Sequence, residues 1–451
     1  MKKTSTNFKL GVSHMSRGAC GSRPVVRFTA ALALSSVLVL GGCDSLDTLL
    51  SVDAPSRVVA SDLNQPSAAG LLVSSVANEL RCAAAWYAAA SALTGMEWAD
   101  ASNNSVTNIW DSRNHDTSGY GAQYANADCG SSQPAVYKPL SRARWIADFT
   151  LGNLGEWSAT DVPEKAAYTA EVSMYAGFAY TYFGEAMCSV AFDGGPEQTR
   201  ADSWNLAVQR FDAAISGGSG DVQNAARVGK ARALLNLGKK SDAASVASSV
   251  PAGFKYELQF SADASVTKNP LWLQNHDYNS VTVADTRKDQ MVVGVADPRI
   301  AVTNSGVDHP TTGIRVFTAD KFPAVNSPLE LATWEEAQLI KAEAEHAAGN
   351  LAAAVAIINT LHTNAGLPAF ASSDAQEVMD QIVYERSAEM FLEGHHLYDI
   401  TRYNIPLVPA VGTYSPFGDT FGSDLCFKLP ATEFQNNENI CLLYTSPSPR
   451  D

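Results

Sequence analysis

Positive charge is scarce in this sequence. Its 451 residues carry 32 Lys and Arg against 47 Asp and Glu, a formal net charge of −15 at pH 7. Nucleic-acid binding draws its affinity from clustered Lys and Arg on phosphates, so that class of partner is excluded. Catalytic signatures are missing too: there is no G-x-S-x-G, no Walker A loop, no G-x-G-x-x-G between a strand and a helix, and no H-E-x-x-H. Cysteine is sparse, with 7 in the whole chain and no C-x-x-C pair, which argues against a zinc site. The apolar run from Phe28 to Leu40 is shorter than the roughly 20 residues that cross a bilayer, so a membrane-spanning anchor is disfavoured there.

That short run has a different meaning in context. Arg17, Arg23 and Arg27 precede it, and Leu40-Gly41-Gly42-Cys43 closes it. This is the layout of an export signal over residues 1–42 that ends in a lipobox, so Cys43 is expected to take the diacylglyceryl group. Residues 43–65 then form a polar tether, and Met15 is an alternative start that shortens the long basic region. At the other end, residues 441–451 resemble a translated sequencing adaptor and are set aside from the fold.

With Cys20, Cys43 and Cys441 assigned to these ends, Cys82, Cys129, Cys188 and Cys426 remain. Four cysteines in an exported protein permit two disulfides in three connectivities. Nearness in sequence favours Cys82 with Cys129, which leaves Cys188 with Cys426 by elimination.

Between the ends, the chain alternates helical patterns with long irregular stretches. Helices are expected over Ala68–Leu93, Pro163–Met187, Gln223–Val250, Trp334–Leu361 and Asp374–Gly394. Two of these blocks repeat each other. Ala231-x-Ala233, Gly238, Ala243 and Val246 align at constant offset with Ala342-x-Ala344, Gly349, Ala354 and Ile357, and Trp204-x-x-Ala207-x-x-x-Phe211 is a partial third copy. Helix, tight glycine turn and second helix is the grammar of tetratricopeptide repeats. The fold class is therefore mainly α, a helical repeat array spanning residues 66–440, interrupted by loop insertions at about 94–139 and 254–327. Within the second insertion, Ser280–Val283 and Ile314–Phe317 read as edge strands or extended loop, and Asp297-Pro298-Arg299 as a turn.

The most informative stretch is Asp380–Tyr403. Glu385, Glu389 and Glu393 stand four apart on one helix face, where like charges repel by about 0.2–0.5 kcal/mol per pair. Cations are needed nearby, and Arg386 and Arg402 are the local candidates. Gly394 follows at a point where a neighbouring backbone comes close or the helix bends. A metal site at Glu393, His395, His396 and Asp399 is disfavoured, because adjacent helix residues point about 100° apart; a role in pinning this helix to the repeats fits better. The three glutamates cannot serve as a glycosidase pair either, since on one helix face they do not flank a sugar.

The run Tyr384-Glu385-Arg386, Glu389, Phe391, Glu393-Gly394-His395, Asp399 and Arg402 resembles the C-terminal signature of the SusD/RagB-like outer-membrane lipoproteins, an E-R pair followed by F-x-E-G-H-R and D-x-x-R. His396 departs from it by standing where the family has arginine. The resemblance implies a cell-surface lipoprotein on the outer membrane, with no catalysis and no cofactor, that binds a glycan and delivers it to a TonB-dependent transporter. Peptide binding on the same architecture is the alternative, followed by a lipid-anchored glycan hydrolase and a bare protein-binding scaffold.

Recognition of a sugar calls for aromatic faces among amides and hydroxyls. Trp98, Trp110, Tyr120 and Tyr124 lie in such surroundings, beside Asn103, Asn104, Asp111, Arg113 and Asn114, and are the expected ligand-contacting residues. Loop aromatics also act as staples that pin a long loop to its scaffold. Trp272 and Tyr278, in the second insertion, are the next candidates.

Overall fold

The computed structural model describes residues 60–115, 122–130 and 134–440; Cys43, the export signal, most of the tether, Tyr120 and residues 441–451 lie outside the described residues. The helices that build the array are α1 (Ala69–Thr94), the short α2 (Ser105–Asp111), α3 (Tyr137–Glu156), α4 (Lys165–Ala186), α5 (Arg200–Gly217), α6 (Gly220–Asn236), α7 (Lys240–Ala247), α8 (Trp334–Ala347), α9 (Leu351–Ala365), α10 (Ala375–Glu389) and α11 (His396–Tyr403). Every residue of α1 from Cys82 to Thr94 is buried. A helix so rich in alanine lets neighbours approach from all sides, and α3 and α4 pack directly on it.

From α3 to α9 each helix packs against the next, and α7 meets α8 across the second insertion. The expected Gln223–Val250 and Trp334–Leu361 blocks are the hairpins α6–α7 and α8–α9, turned at Gly238 and Gly349 with φ of 75° and 79°. The partial third copy is the full helix α5, whose Trp204 and Phe211 fit notches on its neighbours. A Cβ added at Gly184 would collide with the Trp204 ring, and one at Gly177 or Gly229 with Phe211. Glycine therefore sets the spacing of α4, α5 and α6.

The strands are β1 (Trp98–Asp100), β2 (Lys255–Leu258), β3 (Val281–Val283), β4 (Met291–Val292), β5 (Val295–Ala296), β6 (Val302–Asp308), β7 (Arg315–Ala319) and β8 (Leu329–Thr333). They form four antiparallel pairs, β1–β3, β2–β8, β4–β5 and β6–β7. The β2–β8 pair closes the second insertion at its base, with Lys255 opposite Thr333. The β1–β3 pair sets Trp98 opposite Val283 and so joins the first insertion to the second.

The C-terminal motif differs from expectation in two ways. The helix starts as predicted, with the Asp374 carboxylate accepting from the amides of Gln376 and Glu377, but it stops at Glu389 and not at Gly394. Leu392 and Gly394 then adopt φ of 59° and 85°, and a Cβ at Gly394 would stand 3.2 Å from the Tyr87 ring of α1. Close approach, not bending of one helix, explains this glycine.

The second correction concerns charge. Arg386 does not neutralise the glutamate stripe; one position on from Glu385, it points about 100° away and pairs with Asp399 at 2.8 Å. Arg402 likewise turns to Glu343 at 2.7 Å and to Asp399 at 3.2 Å. The stripe is neutralised from the second insertion: Arg299 reaches Glu385 at 2.6 Å and Glu389 at 2.8 Å while also holding Asp297 at 2.7 Å, and Lys321 pairs with Glu393. His395 meets Arg232 at 3.0 Å, and Arg232 pairs with Glu185, so the motif is also bonded to α4 and α6. His396, in the place of the signature's arginine, faces Arg287 of the second insertion.

Candidate functional site

Three of the four expected ligand-contacting aromatics are buried. Trp98 is 1% exposed, and Trp110 and Tyr124 are fully enclosed. The partner of Trp110 and Tyr124 comes from the far end of the chain: Phe427 lies 5.1 Å from Trp110 and 5.2 Å from Tyr124 between ring centroids, and stacks on His115 at 4.2 Å and 6°. The Tyr124 hydroxyl donates to the carbonyl of Lys428 at 2.9 Å. These rings are staples, and they offer no face to a ligand.

The segment around Phe427 is itself fastened from several sides. Gly422 donates to Ser112 O at 2.7 Å, Asn114 Nδ2 donates to Thr420 O at 2.7 Å, and Arg113 Nε donates to Gly422 O at 3.1 Å. Cys188 is bonded to Cys426, and Cys82 to Cys129, which ties α1 to the first insertion. Burial of His115 in this packing pushes its pKa down to about 4, so it stacks as the neutral ring.

With those rings turned inward, the surface between the two insertions is an open cleft of about 630 Å³. Ser102, Asn103, Asn104 and Thr107 line it from the first insertion, and Gln274, Tyr278, Ser280 and His309 from the second. Tyr278 is 45% exposed and is the aromatic face of this otherwise amide-rich and hydroxyl-rich surface.

Local sequence fixes both walls. On the first, the Asp100 carboxylate accepts from the Ser102 amide at 3.0 Å, the Ser102 hydroxyl at 2.9 Å and the Thr107 hydroxyl at 2.7 Å. Asn103 takes φ of 55°, a conformation asparagine tolerates, and Asn104 caps α2 by accepting from the Val106 amide at 2.9 Å. Asp111 lies beneath, accepting from the Asp100 amide at 3.0 Å; burial, with Asp100 adding repulsion, pushes its pKa up to about 7.

The second wall is a π-helical turn, Leu273–Asp277, that delivers Tyr278 at its end. Such turns are rare and recur at functional sites. Buried Asn275 holds it, donating at 3.0 Å to both Val281 O and Phe317 O and accepting from the Ala319 amide at 2.9 Å. The half-buried Trp272 stacks on His276 at 5.9 Å and stays within this wall. The Ser280 hydroxyl donates to Gln274 Oε1, and the Ala101 amide donates to Ser280 O at 3.0 Å, so the walls are bonded to each other.

Of the residues named from sequence, Asn103, Asn104 and Tyr278 are therefore brought together. Ser102, Thr107, Gln274, Ser280 and His309 join them unannounced. Their shared position depends on the pairing of β1 with β3, which no local pattern reveals. Among the described residues, no group of three or more His, Cys, Asp or Glu side chains is placed to hold a metal ion, and no helix is long and apolar enough to cross a membrane.

The molecule is thus a helical-repeat protein whose loop insertions build a polar cleft. Its C-terminal part, residues 336–445, matches the SusD family model, and its fold is that of solved SusD-superfamily proteins. A SusD-like carbohydrate binding protein from Bacteroides vulgatus superposes with a TM-score of 0.63 at 15% identity, covering 85% of this chain and 100% of that one. Another SusD-like carbohydrate binding protein, from Bacteroides fragilis, gives 0.63 at 13% identity over 83% and 99%. A laminarin binding SusD-like protein gives 0.55 at 15% identity over 83% and 98%. Comparison with curated protein sequences gave no match.

Proposed function

We propose that this protein binds an oligosaccharide in the cleft between its insertions, without catalysis, and hands it to a TonB-dependent outer-membrane transporter from the cell surface, where lipid on Cys43 holds it. The observation that carries the reading is the half-exposed Tyr278 ring set among Ser102, Asn103, Asn104, Gln274, Ser280 and His309. An aromatic face stacks on the apolar side of a pyranose, while amides and hydroxyls read its hydroxyl groups. The carbohydrate and laminarin binding of proteins with this fold supports it.

The test is a glycan and peptide array probed with the mature chain made soluble by Cys43→Ser, followed by calorimetry on the best oligosaccharide. Tyr278→Ala should weaken binding by roughly 1 kcal/mol or more with an unchanged melting temperature. Trp110→Ala should instead lower the melting temperature. Normal binding by Tyr278→Ala and by Asn103→Ala would remove the cleft from consideration, and capture of peptides alone would replace glycan with peptide. Copurification of a barrel transporter with the lipidated protein tests delivery.

A further inference from the structure

Tyr278 has a second side. Besides facing the cleft, it lines a small, partly open pocket of about 80 Å³, whose wall includes Arg81, Trp86, Phe260, Lys268 and the Cys82–Cys129 disulfide. By that measure the pocket has room for a few waters, enough for a carboxylate or sulfate group.

The lining of this pocket carries two cations and no carboxylate. Several buried cations meet carboxylates, Arg232 with Glu185, Arg299 with Glu385, Arg386 with Asp399 and Lys321 with Glu393, while Arg113 and Arg287 are held by carbonyls, a hydroxyl and an imidazole. Arg81 has no carboxylate partner among the described residues. Its Nη1 donates one bond, at 3.3 Å, to Gln259 O, and its guanidinium lies 5.8 Å from the centre of the Phe260 ring. Burial lowers its pKa, with no acidic neighbour acting against the shift. Lys268, half-buried, likewise has no ion-pair partner among the described residues.

Arg81 carries a desolvation cost that no protein carboxylate offsets. In a chain of net charge −15, carboxylates were available to neutralise it. An anionic ligand group placed between Arg81 and Lys268 would satisfy both, with the planar guanidinium suited to a carboxylate or sulfate.

We propose that this pocket is an anion subsite, and that the glycan taken by the cleft is acidic, with a uronate carboxylate or sulfate ester passing beside Tyr278 to lie between Arg81 and Lys268. The proposal rests on the glycan reading of the cleft and adds the class of sugar.

Calorimetry on the soluble mature chain tests it with matched pairs: an oligogalacturonate against its methyl ester, and a sulfated galactan oligosaccharide against its desulfated form. The acidic member of one pair should bind at least tenfold more tightly, and which pair responds tells carboxylate from sulfate. Arg81→Gln with Lys268→Gln should abolish that tenfold preference, leaving the affinity for the neutral member and the melting temperature unchanged. Raising salt from 50 to 300 mM should weaken only the acidic ligand. Equal binding of acidic and neutral members, with Tyr278→Ala weakening both, would overturn the subsite while the glycan reading stands.

Failure of every oligosaccharide would overturn the glycan reading instead. The subsite is then decided by sodium galacturonate and sodium sulfate, titrated at millimolar concentration against the fluorescence of Trp86 in the pocket wall, with Trp86→Phe identifying its share of the signal. A response in the parent that the double variant lacks supports an anion site, and no response to either salt overturns it.

Discussion

Replacing Arg299 with alanine removes the cation on which three carboxylates converge. Its guanidinium holds Asp297, Glu385 and Glu389 at 2.7, 2.6 and 2.8 Å, and the side chains of Asp297 and Glu385 have no solvent exposure. Breaking a buried pair from one side leaves an uncompensated charge, at a cost of about 3–5 kcal/mol. Acidity should relieve part of that cost. Burial would raise the Glu385 pKa, but hydrogen bonds from His362 and Arg299 outweigh it and hold the group below the ordinary carboxylate value. A depressed pKa contributes stability that is present above the unfolded value and lost as pH falls through the folded one. The variant loses that contribution, so its deficit should be largest at pH 7 and shrink toward pH 4. Urea unfolding followed by circular dichroism at several pH values measures it. Adding Glu389→Gln to Arg299→Ala should recover part of the loss at pH 7. A deficit under about 1 kcal/mol at pH 7, or one indifferent to pH, would refute the account.

Gly229→Ala should destabilise by about 1–3 kcal/mol, because its new methyl collides with Phe211 although alanine favours the helix by about 1 kcal/mol; Phe211→Leu in the same chain should restore part of the loss in thermal melts. Asp111→Asn should be more stable than the parent at pH 8 and level with it at pH 4. With its pKa raised to about 7, Asp111 contributes stability that is lost as pH rises through that value, and an amide does not ionise. A variant that melts below the parent at pH 8 would contradict this.

The helical array was legible in the sequence because its determinants are local. Alanine spacing, the turns at Gly238 and Gly349 and the Asp374 cap each act within a few residues. The glutamate stripe announced that cations were required, but its cation is Arg299, 86 residues before Glu385, and no helical periodicity connects them. The same separation hid the cleft. Polar surroundings suggested that Trp110 and Tyr124 face solvent, yet Phe427 covers them from more than three hundred residues away, and burial cannot be read where the covering residue is so distant. Tyr278 stood out as a loop aromatic, while its neighbours Ser280 and Gln274 are ordinary until β1 pairs with β3.

The fastening of Phe427 has a consequence for the order of folding. The helices pair with their sequence neighbours and can settle as soon as they exist, whereas Tyr124 waits for Lys428, 304 residues later. Closing a loop of that length costs about 5 kcal/mol of chain entropy, which only the assembled array can offset. The end of α2, on the far side from Asn103 and Asn104, is therefore fastened last, when the chain returns to Ser112 and the end of α4. Competence to hold a ligand thus reports completeness: a molecule that loses the segment after about residue 407 would keep its repeats and the local bonds of its first wall, but would leave Trp110 and Tyr124 uncovered.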